Sequence, residues 1–412
     1  LNPDLGAALR HIALHGADAF YRGPLTAGIV ETMNAGGHPV TAADFAAYEP
    51  VWRRPLCIAY EGRNVLSAPP PQTGAQVLHT LQLLEPYDFA RLGLPTRDAR
   101  AFDALTSALR VGMADNRGVN DDPRWDDVPA SGRVAPAFAA QRASLVGTAS
   151  APDSIATASA AAYDDAPPEP GCAAFEPYGP APTAAQPADA QDDAVHDGDA
   201  QSIGADPDPA VGHASHLPPH AEPTGTADER GETTHISVVD GDGNAVSLTQ
   251  TNSTVFGSGA WVHGFFLNDS GYIFREEADL QADLDDAPNW RTRTTTIAPT
   301  LVLASDDVEL VIGAPGGGRI PTEIVQTMVY LLDYGMDPLE AVRMPRIYPS
   351  SQSARVQLEH GFAAALLHDV REMGYDPVPP TPGYARLYLV ARHNGQWIAV
   401  ADPRHDGEAR AY

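Results

Sequence analysis

The chain has 412 residues, 43% of them hydrophobic, which is enough for one large domain or two modest ones with a real core. It carries 54 acidic and 26 basic side chains for a net charge of −28, and every basic residue is arginine, with no lysine anywhere. No basic stripe is therefore present to neutralise phosphates, which excludes nucleic-acid and anionic-membrane binding, and no run of about 18 apolar residues exists to span a bilayer.

A high-salt-adapted, GC-rich source and a compositional bias with an acidic linker both account for this charge balance. Leu1 opens inside an amphipathic pattern, with no initiator Met and no export-signal pattern, so the chain reads as truncated or processed at its N-terminus. Residues 1–146 read as mostly helical. Leu5, Leu9, Ile12 and Leu14 have near-helical spacing, and Leu25–Asn34 and Ala42–Tyr48 follow, the last with an N-cap at Thr41. "CIAYEGRNVLSAPPP" reads as strand, turn and strand, and "TGAQVLHTLQLLE" and "ARAFDALTSALRVGMADNRG" as strong helices. Cys57 and Cys172 do not amount to a disulfide framework or a CxxC site.

Residues 147–232 change character. Ala, Asp, Pro, Ser, Thr and Gly dominate, apolar periodicity vanishes, and the tract reads as disordered, a solvated spacer. His196, His213, His216 and His220 lie in it at spacings that fit no metal-ligand motif. Residues 233–412 turn β-rich and then mixed. "THISVVD-GDG-NAVSLTQT" alternates around an Asp-Gly turn, a strong hairpin signal. "IAPTLVLASDDVELVIGAPGGG" is a second hairpin ending in glycines, "PTEIVQTMVYLLDYG" and "DPLEAVRM" are helices, and "AAALLHDVREMG" is a helix with a Gly cap. "ARLYLVARHNGQWIAVADPR" closes as a third hairpin. No internal repeat appears at a fixed period. Asp240, Asp242 and Asn244 hint at a calcium loop, but Ala245 stands where its glycine belongs and Thr251 where its bidentate acid belongs, so this is a hairpin turn.

A hydroxyl nucleophile needs a base, and no GxSxG elbow is present. A threonine that becomes N-terminal can use its own α-amine, whose pKa of about 8 suits proton transfer at neutral pH. Such a residue must start a strand and must have the bond before it cut. Thr233, at the end of a long acidic tract, meets the first condition. An ordinary hairpin strand residue is the competing reading. "GAPGGGR" follows an apolar strand without the GK[ST] of a phosphate loop, and its glycines would let backbone N–H groups approach an oxyanion. A plain turn is the alternative there, with Arg319 pairing an acid structurally.

The motifs "TTHISVVDGDGNAVSLTQT…FGSG", "GFFLND", "RTTTIAPT", "GAPGGGRI" and "ADPRHDGEARAY" resemble the γ-glutamyltranspeptidase (glutathione hydrolase) family. Upstream, "FYRG", "AADFAAYEPVWRRPL", "SAPPPQTGAQVLHTLQLLE" and "MADNRGVNDDP" resemble the C-terminal half of that family's large subunit. The likeness covers residues 1–145 and 231–412. It implies an α+β fold, the four-layer αββα sandwich of N-terminal-nucleophile hydrolases, without the first half of the large subunit. That absence would leave a sheet edge open, so a fragment or an incomplete gene product is expected.

The resemblance further implies self-cleavage between Glu232 and Thr233, with Thr233 as nucleophile, Thr251 as the hydroxyl contacting it, and Gly316 and Gly317 as oxyanion hole. Substrate-contacting positions fall at Asn252, Ser253, Ser270, Thr295 and Thr296, the last two replacing the family's paired serines. The reaction implied is hydrolysis or acyl transfer of γ-glutamyl amides such as glutathione through an acyl-enzyme. It takes a small-molecule amide and a water or amine acceptor, needs no cofactor or metal, and leaves the large and small chains associated. Family members are usually exported, so a periplasmic or extracellular site is implied, with the cytoplasm as alternative. One departure matters. Where the family holds the substrate ammonium with an aspartate, this chain has Ile273. A buried ammonium without a carboxylate is costly. An acylase or amidase for another acyl group, or an inactive fragment, therefore stays open.

Overall fold

A computed structural model describes residues 2–117, 119–172, 231–270, 292, 294–379 and 385–411. The fold is α+β. Its centre is an antiparallel six-stranded sheet built from three hairpins: β1 Leu56–Tyr60 with β2 Arg63–Ser67, β7 Thr300–Ala304 with β8 Asp307–Gly313, and β12 Tyr388–His393 with β13 Gln396–Ala401. The strand order is β1-β2-β7-β8-β12-β13, and β9 Ile347–Pro349, β10 Arg355–Leu358 and β11 Asp376–Val378 form a separate three-stranded sheet. The pair β2–β7 joins segments more than 230 residues apart in sequence.

Helices Gly74–Leu84, Ala99–Asn116 and Ile320–Leu332 cover one face. Leu310 and Ile312 of β8 point into that apolar core together with Leu78, Leu81, Leu105, Leu109 and Met328. The long helix 99–116 starts at Asp98, whose carboxylate accepts the Arg100 and Ala101 N–H groups. Thr41 caps its short helix as expected, in a reciprocal box with Asp44.

The other sheet face carries a separate hairpin, β3 Gly231–Val239 with β4 Ala245–Thr254, packed on β8 and β12. Alternation along these strands is regular, but the polar side faces inward. Thr233, His235 and Ser237 pair across with Thr251, Thr249 and Ser247. Ser237 and Ser247 donate to the carbonyls of Tyr388 and Ile312 in the large sheet. Ile236, Val238, Val246 and Leu248 face away and are 45–53% exposed. The helical layer expected over this outer face is not formed by the described residues. Helices Pro3–His15, Asp18–Tyr21, Pro24–Ala35 and Ala42–Ala46 gather instead around the short hairpin β5 Trp261–Val262 and β6 Phe265–Phe266. There Asn2 donates to Gly264, and Phe20 lies beside Phe265.

Two sequence expectations need correction. Cys57 and Cys172 form a disulfide with Cα atoms 5.6 Å apart. Cys57 lies on β1, the sheet's edge strand, and its partner is 115 residues away, so only tertiary contact reveals the pair. Residues 147–172, read as the start of a featureless tract, pack as a strap. Ala151 and Ile155 donate backbone bonds to Met373 and Ser351, Ala158 to the Asp115 carboxylate, and Glu169 accepts from the Ala59 N–H at the open edge of β1. A strap that borrows its partners from an existing scaffold needs no periodicity of its own, which is why composition misses it. The four tract histidines lie outside the described residues.

Candidate active site

Thr233 sits on the inward face of β3 and is only 8% exposed. Its hydroxyl donates to Thr251 Oγ1 at 3.1 Å. That oxygen also accepts the Ser253 N–H at 2.9 Å. The β3–β4 register shifts between Glu232 and Thr233, so Glu232 faces Ser253, Thr233 faces Thr251, and Asn252 is the extra residue of a bulge. Ser253 takes φ +78°, in the left-handed region where a residue with a Cβ is strained. The candidate scissile bond thus lies where the ladder is broken.

The glycine-rich turn after β8 reaches the same strand: residues 317–319 lie against β3. Gly316 has φ +144°, and a Cβ there would stand 2.4 Å from the Cα of Ala385, so only glycine fits. Gly317, at φ +58°, begins the short 3₁₀ turn leading into helix 320–332. Without side chains at these two positions, a ligand can approach the backbone N–H groups of the turn closely.

The other sequence candidates are more scattered. Asn252 is exposed, and its carbonyl accepts the Asp269 N–H at 3.2 Å. Ser270 is half-buried and its N–H goes to the Asn268 side chain. Thr295 bonds Pro71 through its N–H and accepts the Thr73 hydroxyl on its carbonyl, which ties it to the segment before helix 74–84. Thr296 is half-buried beside it. Ile273 lies outside the described residues. Arg319 donates to the Gln357 amide oxygen and lies over the Tyr348 ring. Asp240 spends its carboxylate on the Asp242 and Asn244 N–H groups and the Asn244 amide, as a hairpin turn requires. Among the described residues no group of three or more His, Cys, Asp or Glu side chains could hold a metal.

Two site residues escaped the sequence reading. One is Asp269. The other is His235, on the same strand face as Thr233 and sandwiched between the Thr249 and Ser237 hydroxyls at 2.8 and 2.9 Å. Gly313 makes room for it: a Cβ there would stand 2.2 Å from the ring. Its position two residues after the threonine was the available signal. Burial pushes the His235 imidazole from 6.5 down to about 4. A base kept neutral by folding stabilises the protein fully above pH 6.5, and that share is lost as pH falls from 6.5 to about 4, where it totals roughly 3 kcal/mol. Urea unfolding across that window should therefore show a steeper acid loss for wild type than for His235→Gln. Parallel curves would contradict it.

The family model described as gamma-glutamyltranspeptidase matches residues 1–180 and 182–412. The glutathione hydrolase proenzyme of Escherichia coli (strain K12) is 26% identical over 97% of this chain and 60% of its own length. The acylase ACY 1 proenzyme of Pseudomonas sp. (strain SE83) is 26% identical over 91% and 54%. The crystal structure of cephalosporin acylase from Bacillus halodurans superposes with a TM-score of 0.73 at 19% identity, over 99% of this chain and 62% of that one. The chain thus spans about 60% of the length of such relatives.

Proposed function

The chain belongs to the gamma-glutamyltranspeptidase family, and we propose that it is an autoprocessing N-terminal-threonine amidohydrolase. Residues 233–412 would form the catalytic chain, residues 1–146 the C-terminal part of the large one, and 147–232 the tract that ends at the cut. The observation that carries this reading is the Thr233 hydroxyl at 3.1 Å from Thr251 Oγ1, beside a bulge at the Glu232–Thr233 bond.

Thr233 Oγ1 attacks the Glu232 carbonyl carbon, the C–N bond breaks, and the nitrogen takes the hydroxyl proton to become a free α-amine. Water then hydrolyses the resulting ester. In turnover the α-amine accepts the hydroxyl proton as Oγ1 attacks the substrate amide, and passes it to the leaving amine. Water or an amine acceptor releases the acyl group. Gly316 and Gly317 would donate to the oxyanion of each tetrahedral intermediate. After the cut, the β2–β7 ladder would keep the two chains together, since its strands come from opposite sides of residue 233. The disulfide supports an oxidising, exported location.

The leading substrates are γ-glutamyl amides such as glutathione. Ile273, standing where an ammonium-binding aspartate is expected, favours a second reading: acyl amides without an α-ammonium. Acylase and glutathione hydrolase relatives at equal identity leave room for both. Intact mass and N-terminal sequencing test the shared mechanism. Two pieces are expected, the second starting Thr-Thr-His-Ile-Ser, and one uncut piece overturns the proposal. Parallel assays on γ-glutamyl and glutaryl anilides then separate the two readings, since faster turnover of the glutaryl compound would select the acylase.

A further inference from the structure

We propose that Asp269 is a positioning residue that clamps the bulge and thereby holds Thr251 against Thr233. Its catalytic consequence rests on the mechanism proposed above; its structural consequence does not. A strand with one extra residue leaves a peptide without a ladder partner, and here that peptide is supplied from outside. The Asp269 N–H donates to the Asn252 carbonyl at 3.2 Å. The Asp269 carboxylate accepts twice from Thr254, from its N–H at 3.1 Å and from its hydroxyl at 2.5 Å. The Thr254 hydroxyl has a single proton and a second acceptor, Gly257 O at 3.2 Å; the shorter, charged contact wins. Asp269 therefore grips the residues on both sides of Ser253, the one held at φ +78°.

That grip has a geometric purpose. Side chains alternate faces with a period of two, so a one-residue slip turns every side chain of a strand to the opposite face. A strand relieved of its bulge would move Asn252 into register with Thr233 and turn the Thr251 hydroxyl away. The strain at Ser253 favours such a relaxation. Three bonds from one aspartate, itself next to Ser270, oppose it. Asp269 thus touches no reacting atom and acts through Thr254, Asn252 and Thr251.

The test uses the full chain with Asp269→Ala and Asp269→Asn. Asparagine can accept the Thr254 N–H on Oδ1 and donate to the Thr254 hydroxyl from Nδ2, so it rebuilds the clamp without the charge. Asp269→Ala should slow appearance of the Thr233 terminus about 100-fold, the scale of a misplaced catalytic group. Asp269→Asn should recover most of that loss. In the processed protein, kcat per titrated active site should fall in Asp269→Ala with KM unchanged, whereas a general loss of folding lowers the number of titratable sites and leaves the rate per site at the wild-type value. Hydrogen exchange over residues 250–257 should rise in Asp269→Ala while the six-stranded sheet keeps its protection. Wild-type processing rates in both variants, with unchanged exchange over 250–257, overturn the clamp and leave the nucleophile assignment intact. An uncut wild-type chain defeats the proposed function instead, and the exchange measurement then decides the clamp by itself. If Asp269→Ala does not fold, Asp269→Asn decides: processing within a few-fold of wild type with 250–257 protected supports the clamp, and slow processing with unchanged exchange over 250–257 overturns it.

Discussion

Thr233→Ala is expected to leave the chain as one piece with no amide turnover. Alanine keeps the strand position and its bulge, so the fold should be untouched, but no atom remains to attack the Glu232 carbonyl. Without the cut no α-amine forms, so nucleophile and base are lost together. Removal of a nucleophile that works as part of a unit costs on the order of 10⁴-fold or more in rate. Thr233→Ser is the informative companion. It keeps Oγ and the bond to Thr251, and should process, more slowly, because the methyl group that restricts the side-chain rotamer is gone. Intact mass over time reads both variants. A processed Thr233→Ala chain, with a new terminus at the same place, would remove Thr233 from the mechanism.

Arg346→Met is expected to destabilise the protein by about 3–5 kcal/mol, the usual result of orphaning a buried charge. The Arg346 guanidinium is 2% exposed and bridges two carboxylates that are wholly buried, donating to Glu323 and Asp402 at 2.5 Å each. Burial pushes the Glu323 carboxyl up to about 7 against the pull of Arg346, so the arginine is what keeps it within reach of ionisation. Arg404 closes the array from outside, bonding Glu359 at 2.6 Å and Asp402 at 3.2 Å. Methionine fills the arginine's apolar volume and leaves two acids facing one another. The damage should reach the site. Glu323 accepts the Ala385 N–H, Asp402 accepts that of Leu387, and Ala385 is the residue pressed against Gly316. Denaturant unfolding measures the loss, and an unchanged midpoint would show that the array contributes no net stability.

Much of this is legible in the amino-acid sequence. The Asp-Gly turn and period-two alternation announced the 231–254 hairpin, and the three hairpins of the large sheet and its covering helices all had local signals. The three-stranded sheet of Ile347–Pro349, Arg355–Leu358 and Asp376–Val378 did not, because strands of three or four residues are too short to show a period. The candidate site divided the same way. Thr233, Thr251 and the glycines were named from motif resemblance. Asp269 and His235 were passed over, because a clamp on a bulge and a ring tucked over Gly313 exist only once strands are paired.

The sequence by itself determined the class of elements, their order, and the alternation that puts Thr233, His235 and Ser237 on one face. It did so because period, turn residues and caps act over a few neighbours. The tertiary structure decided which face is buried, and it buried the polar one: hydroxyls between two sheets can bond one another and the carbonyls of Tyr388 and Ile312, while Ile236 and Leu248 are left facing out. It also decided the Cys57–Cys172 bond, the strap over β1 and the bulge before Thr233. Each of these joins residues distant in the chain, or depends on a partner strand's register, and no local pattern encodes such a choice.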